Sequence, residues 1–306
     1  MADGMLKVCL AGLELANPTV LASGVLGYSA EVFQRVEASG AGAVVTKSVG
    51  VAAREGYMNP TVCQVRCGLV NAMGLPNPGI DVFVEEVARA KALLSVPVIV
   101  SVYGFRTSEY AYAAVRAASA GADAVELNVS CPHVEGTGSE VGQDEGLLAE
   151  VVREVKRIVR KPVFVKLSPN VADIASVAEA AVAAGADGLT VANTLKALAI
   201  DVETGIPVLG NRRGGLSGPA VKPVVLRCVY DVYERVNVPI VGCGGVTSWR
   251  DAVEYFLAGA SAVQVGTAVA TRGLSVFAEI TRGVAAYLRR KGYGGLAQVV
   301  GLSHRR

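Results

Sequence analysis

Two stretches decide the fold: Val96-Pro-Val-Ile-Val-Ser-Val-Tyr-Gly104 and Gly121-Ala-Asp-Ala-Val-Glu-Leu-Asn-Val-Ser130. Each is a continuous apolar run of the kind expected of a parallel strand buried on both faces. The first opens after a proline, which suits the first residue of a strand because its missing N–H costs nothing there. The second follows a glycine that reads as the left-handed stop of a preceding helix. The same two marks alternate along the chain. Proline precedes TVLASGV after Pro18, VFVKLSP after Pro162 and IVGCGG after Pro239; a helix-ending glycine precedes AVVTKSV (Gly40), GLTVANT (Gly185) and AVQVGTAV (Gly259). This is a weak internal repeat, one β-α-β-α unit copied four times.

Helical periodicity fills the intervals. It runs from Glu145 to Val159 after Asp144 as N-cap, from Val171 to Ala184 around Asp173, and from Ser248 to Leu257 behind the capping box Ser248-Trp-Arg-Asp251. Eight parallel strands alternating with helices predict an α/β protein, a (β/α)8 TIM barrel occupying residues 1–306 as one domain. A doubly wound open sheet is the alternative. A short N-terminal β-hairpin, LKVCL then LEL after Ala11-Gly12, is expected to cover the barrel's base. Two connections, 49–78 and 195–218, exceed the others and are expected to be long loops over the C-terminal face.

Composition fits a compact α/β protein. The 306 residues are 52% hydrophobic and 18% charged, with 35 glycines. A net charge of +2 gives no basic excess for tracking nucleic acid. No apolar run reaches the roughly 18 residues that span a bilayer, and Met1-Ala-Asp-Gly-Met-Leu-Lys lacks a signal-peptide pattern, so a cytoplasmic protein is expected. The six cysteines are scattered; Cys63 and Cys67 are closest, in a spacing that fits neither a zinc knuckle nor an iron–sulfur run. Free thiols and no metal are expected.

In such a barrel the chemistry sits where strands end. Those ends read Ser23-Gly24, Lys47-Ser48, Ser101, Asn128 with Cys131, Lys166, Asn193-Thr194, Gly244-Gly245 and Gly266-Thr267. Pro132 turns the Cys131 thiol out of the ladder; the segment alone reads equally as a reactive thiol or as a small buried apolar residue. Lysines inside strands need an anionic partner. Glycine ends on strands seven and eight leave bare amides suited to a phosphate, which favours a phosphorylated cofactor over plain turn chemistry. Asn71-Ala-Met-Gly-Leu-Pro-Asn77 suits a loop folding over a flat polar ring, although turn chemistry alone would explain those residues.

With these residues assembled, the chain resembles the FMN-dependent dihydroorotate dehydrogenases of class 1, most closely the class 1B catalytic subunit. The resemblance spans nearly the whole length. It rests on T-K-S at 46–48, N-A-M-G-L-P-N at 71–77, E-L-N-V-S-C-P at 126–132, V-K-L-S-P-N-V at 165–171, A-N-T-L at 192–195, G-G-L-S-G-P-A-V-K-P at 214–223, G-C-G-G-V and V-G-T. It implies FMN across the barrel mouth. Gly218, Gly244, Gly245, Gly266 and Thr267 would hold the phosphate, with Ser23, Lys47, Ser48, Ser101, Asn128, Lys166 and Ala192 along the rest.

The resemblance further implies that Lys47, Asn71, Ala72, Met73, Gly74, Leu75, Asn128, Asn193 and Thr194 bind dihydroorotate. Cys131 would be the base taking the C5 proton, and Lys166 would offset charge on the reduced flavin. Electrons would pass to NAD through a partner subunit carrying FAD and an iron–sulfur cluster, around a homodimeric core. Fumarate is the alternative acceptor. Two positions depart from the family pattern: His133 and Ser101 stand where asparagine is usual. S-C-P-H followed by G-Q-D (142–144) also resembles dihydropyrimidine dehydrogenases, which makes a uracil- or thymine-type oxidoreductase the runner-up. A non-catalytic FMN-binding module is the lesser alternative.

Overall fold

The computed structural model describes residues 4–130 and 141–305. Eight parallel strands close into a barrel: Thr19–Leu21, Ala43–Val45, Val98–Val102, Ala124–Asn128, Val163–Lys166, Gly188–Val191, Ile240–Cys243 and Ala262–Val265, the last pairing with the first. These are the eight runs expected from the proline and glycine marks, but each ladder stops sooner than its run. Thr46-Lys-Ser48 and Ala192-Asn-Thr194, for example, lie past the ends of their strands and rise into the mouth. The open-sheet alternative is thereby excluded.

All four helix-ending glycines adopt positive φ, between 96° and 115°, as a left-handed stop requires. Two of them open a G-A-D sequence whose aspartate locks the repeat. Asp123 Oδ2 accepts from the Val98 N–H at 2.7 Å and from Lys91 Nζ at 2.6 Å. Asp187 Oδ2 makes the equivalent pair with Val163 N–H and Lys156 Nζ. Each aspartate thus captures the first amide of the preceding strand, just after its proline.

The helices begin where capping chemistry says they should. Asp144 accepts from Leu147 N–H and opens Glu145–Ile158; Ser248 and Asp251 close a reciprocal capping box at Trp249–Leu257. The helix expected from Val171 starts at Ile174 instead, because Asp173 caps it by accepting from the amides of Ala175 and Ser176.

The N-terminal hairpin pairs Val8–Leu10 with Leu13–Leu15. Its Leu10, Leu13 and Leu15 form one apolar cluster with Val20, Ala43, Val45, Ile99, Ala124, Phe164, Val241 and Ala262, which are inward-facing residues of seven barrel strands. The hairpin therefore plugs the base, as expected.

The two long connections are not plain loops. Val62–Val65 and Gly68–Asn71 from the first join Leu195–Leu198 and Arg213–Ser217 from the second in a four-stranded antiparallel sheet. Sequence reading missed it because these strands are short and carry mixed polar and glycine residues, a weak strand signal. Their pairing joins residues about 144 positions apart, such as Asn71 and Gly215.

Candidate active site

Side chains alternate faces along a strand, so stepping two residues from the apolar base toward the mouth stays inside the barrel. From Val45, Ile99, Ala124, Phe164, Val241 and Ala262 that step reaches Lys47, Ser101, Glu126, Lys166, Cys243 and Gln264. Thr190, two beyond Gly188, completes this polar tier. One further step gives Asn128, Ala192, Gly245 and Gly266, which line a cavity of about 270 Å³ between the strand ends and the antiparallel sheet.

The cavity has two unlike ends. At one, Gly218, Gly244, Gly245, Gly266 and Thr267 present backbone. Gly245 has φ +67°, and a Cβ there would stand 2.8 Å from the Gly218 carbonyl, so the turn admits no side chain. Its neighbours are fixed from behind. The buried Tyr255 hydroxyl donates to the Gly244 carbonyl at 2.6 Å, and Asp251 Oδ2 accepts from the amides and hydroxyls of Thr247 and Ser248. Thr267 Oγ1 donates to Ser217 Oγ at 2.8 Å, tying the eighth strand's end to the antiparallel sheet.

The other end is lined by side chains. Asn128 Nδ2 donates to Ser48 Oγ at 2.9 Å; Ser48 Oγ lies 2.9 Å from Ser101 Oγ and 3.3 Å from Ser23 Oγ. Asn128 Oδ1 accepts from the Ser130 amide and hydroxyl, and Asn193 Nδ2 donates to Ser130 Oγ at 2.9 Å. This chain of hydrogen bonds crosses five strand ends and fixes the direction of both asparagine amides. Two expected residues stand back from the cavity. Ser101 is fully buried behind Ser48, and Ala72 packs with Val70 and Leu209; neither lines it. Ser101 supports Ser48 from behind, at 2.9 Å between the hydroxyls.

Asn71, Met73, Gly74 and Leu75 come down from the antiparallel sheet. Gly74 (φ +75°) and Leu75 (φ +56°) are consecutive left-handed residues, and leucine at such φ is uncommon. Asn77 holds that turn. Its Nδ2 donates to the Leu75 carbonyl at 2.9 Å and the Tyr103 hydroxyl at 2.8 Å, while Oδ1 accepts from Gly79 and Gly50.

Lys166, 4% exposed, has the anionic partner expected of a lysine in a strand. Its Nζ donates to Gln264 Oε1 at 3.1 Å and stands 3.9 Å from Glu126 Oε1. Burial works against its charge, but the Cys243 sulfur and the Glu126 carboxylate outweigh it and hold the ammonium's pKa above the ordinary lysine value. Burial pushes the Cys243 thiol up, despite the neighbouring ammonium. Glu126, Gln264, Thr190 and Cys243 had no site role assigned from the sequence. Their signal was a polar residue inside each of AVELN, AVQV, GLTV and IVGC.

Cys131, Pro132 and His133 lie outside the described residues; Ser130, just before them, is buried at the mouth beside Asn128 and Asn193.

The family described as Dihydroorotate dehydrogenase matches residues 5–288. The chain belongs to that family. It is 53% identical over 296 residues to a Methanosarcina acetivorans protein named dihydroorotate dehydrogenase B (NAD(+)), catalytic subunit, covering 96% of this chain and 95% of that one. A Pyrococcus abyssi protein of the same name is 50% identical over 299 residues, 98% of this chain and 99% of its own. A Methanothermobacter thermautotrophicus protein, again so named, is 48% identical over 302 residues, with 98% and 99% covered. Membership in this family implies a flavin cofactor. Among the described residues no helix is long and apolar enough to cross a membrane.

Proposed function

We propose that this chain is the catalytic subunit of an NAD-linked dihydroorotate dehydrogenase, oxidising dihydroorotate to orotate in pyrimidine biosynthesis in the cytoplasm, as one FMN-binding barrel domain. The observation that carries the reading is a single cavity with a side-chain-free glycine cradle at one end and two lysines among amide groups at the other. That donor set fits FMN, a flat ring bearing a phosphate tail. The phosphate would take the amides around Gly218, Gly244–Gly245 and Gly266–Thr267, and the ring would lie toward Lys47, Ser48 and Lys166.

FMN supplies the acceptor for the hydride leaving C6 of dihydroorotate. The chain's own residues do the rest. Asn71, Asn128, Asn193 and Thr194 offer directed amide and hydroxyl groups to the pyrimidine edges. Lys47 and the Met73–Leu75 backbone would meet the carboxylate. Cys131 would take the C5 proton, leaving the C5=C6 double bond of orotate; a thiol can do this when its pKa is drawn toward neutrality. The Lys166 ammonium, already in place before reaction, would offset negative charge developing on the ring. Curated relatives carrying the words "catalytic subunit" and "NAD(+)" support a partner subunit; we assign that partner the FAD and iron–sulfur cluster of class 1B, around a homodimer of this chain.

The test is anaerobic addition of dihydroorotate, and separately dihydrouracil, to the purified yellow protein. Bleaching by dihydroorotate alone is expected. Bleaching by dihydrouracil alone would move the protein to the dihydropyrimidine type, and a colourless protein that takes up no FMN would overturn both.

A further inference from the structure

Beneath the cavity floor lies a carboxylate that neither stability nor substrate binding accounts for. Glu126 is 1% exposed, inside the barrel. Its Oε2 accepts from Thr190 Oγ1 at 2.9 Å and Gln264 Nε2 at 2.8 Å. Its Oε1 is buried with no hydrogen-bond partner among the described residues, and at 3.9 Å from Lys166 Nζ it is too far for a direct bond. Gln264 explains the gap. Its amide is wedged between the two charges, donating to the carboxylate and accepting from the ammonium at 3.1 Å.

A buried ion pair is poor evidence of stabilisation, because desolvation offsets its attraction and apolar residues of like volume often serve better. An incompletely paired one is worse still, since an unsatisfied buried acceptor carries its own penalty. The arrangement does something else: it keeps Lys166 charged in a buried setting without neutralising it by close contact. Part of the ammonium's field remains directed at the cavity.

Resting on the flavin reading above, we infer that Glu126 is a positioning residue that acts through Lys166, setting the charge presented to the flavin ring and hence the flavin's midpoint potential. Gln264 spaces the two groups, and Thr190 holds the carboxylate back. Among the described residues, the other titratable group against Lys166 is the Cys243 thiol from the seventh strand; Lys47 from the second strand lines the same cavity.

The experiment measures the two-electron midpoint potential of the flavin in wild-type holoprotein and in Glu126→Gln, which keeps a hydrogen-bonding side chain of the same size. At pH 6, where Lys166 still carries its proton, the variant's flavin should be easier to reduce by about tenfold in equilibrium constant, an upward shift of ~30 mV. Lys166 loses its counter-charge in this variant, so its pKa falls. The shift should then shrink as pH rises through that lowered value, whereas the wild type shows no such inflection. In a Lys166→Met background, where no ammonium is left for the carboxylate to offset, the same Glu126 substitution should shift the potential clearly less. If E126Q does not accumulate folded, Glu126→Asp, which draws the carboxylate back from Lys166, should give a smaller upward shift. Yellow proteins of unchanged potential, or an equal shift with and without Lys166, would overturn the inference alone. A wild-type protein that cannot bind a flavin would overturn the functional reading and this inference together.

Discussion

The base and the mouth of this barrel are built from the same strands, two residues apart. At the base, Val45, Ile99, Ala124, Phe164, Val241 and Ala262 face inward and meet the hairpin leucines. At the next inward position the same strands carry Lys47, Ser101, Glu126, Lys166, Cys243 and Gln264. The base satisfies itself by close packing, which needs only volume. The mouth is held by directed hydrogen bonds, which need particular atoms at particular places. Substitutions at the two ends should therefore fail differently: mouth variants should stay folded and lose chemistry, and base variants should lose stability and keep it.

The largest effect is expected at Cys131, the residue assigned as base. Cys131→Ala removes one sulfur from the strand-end segment and leaves the glycine cradle untouched, so the protein should remain yellow. Its flavin reduction by dihydroorotate should slow by about 10²- to 10⁴-fold, the usual worth of a positioned base. Stopped-flow absorbance under anaerobic conditions reads this directly. Wild-type reduction kinetics in the variant would remove Cys131 from that role.

The opposite pattern is expected at Leu10, fully buried in the hairpin that plugs the base. Leu10→Ala should destabilise the protein by about 2–5 kcal/mol, as deletion of a packed leucine side chain does. Denaturant unfolding would measure the loss, and flavin reduction in the folded fraction should be unaltered. A variant of wild-type stability but slowed reduction would break the separation between the two ends.

The same contrast explains what was legible in the sequence. Packing follows periodicity, so eight strands, the hairpin and the helix caps at Asp144, Asp173 and Ser248 could be placed from apolar runs, prolines and glycines. Most of the cavity lining was legible too, because strand ends in a barrel converge. What escaped was long-range pairing. The antiparallel sheet joins segments such as 68–71 and 213–217, and no local pattern says that they meet. Glu126 escaped for a related reason: one polar letter in a buried strand means little until Gln264 and Lys166 are seen beside it.

Ser101 offers the smallest expected effect and the finest test of the comparison, because it belongs to the polar tier yet never reaches the cavity. Its hydroxyl touches Ser48 at 2.9 Å, and Ser48 in turn receives Asn128 Nδ2. Ser101→Ala takes one partner from Ser48, but Ser23 Oγ stands 3.3 Å away and can replace it. The loss should thus stay near the ~0.5–1.5 kcal/mol of a single neutral hydrogen bond. We expect it in dihydroorotate affinity, as a KM raised a few-fold at nearly constant kcat, since Asn128 would be held less firmly while the groups assigned to proton and charge are untouched. Unchanged KM with lowered unfolding free energy would instead place Ser101 with the packing residues of the base, and the boundary between the two ends would move one layer up the barrel.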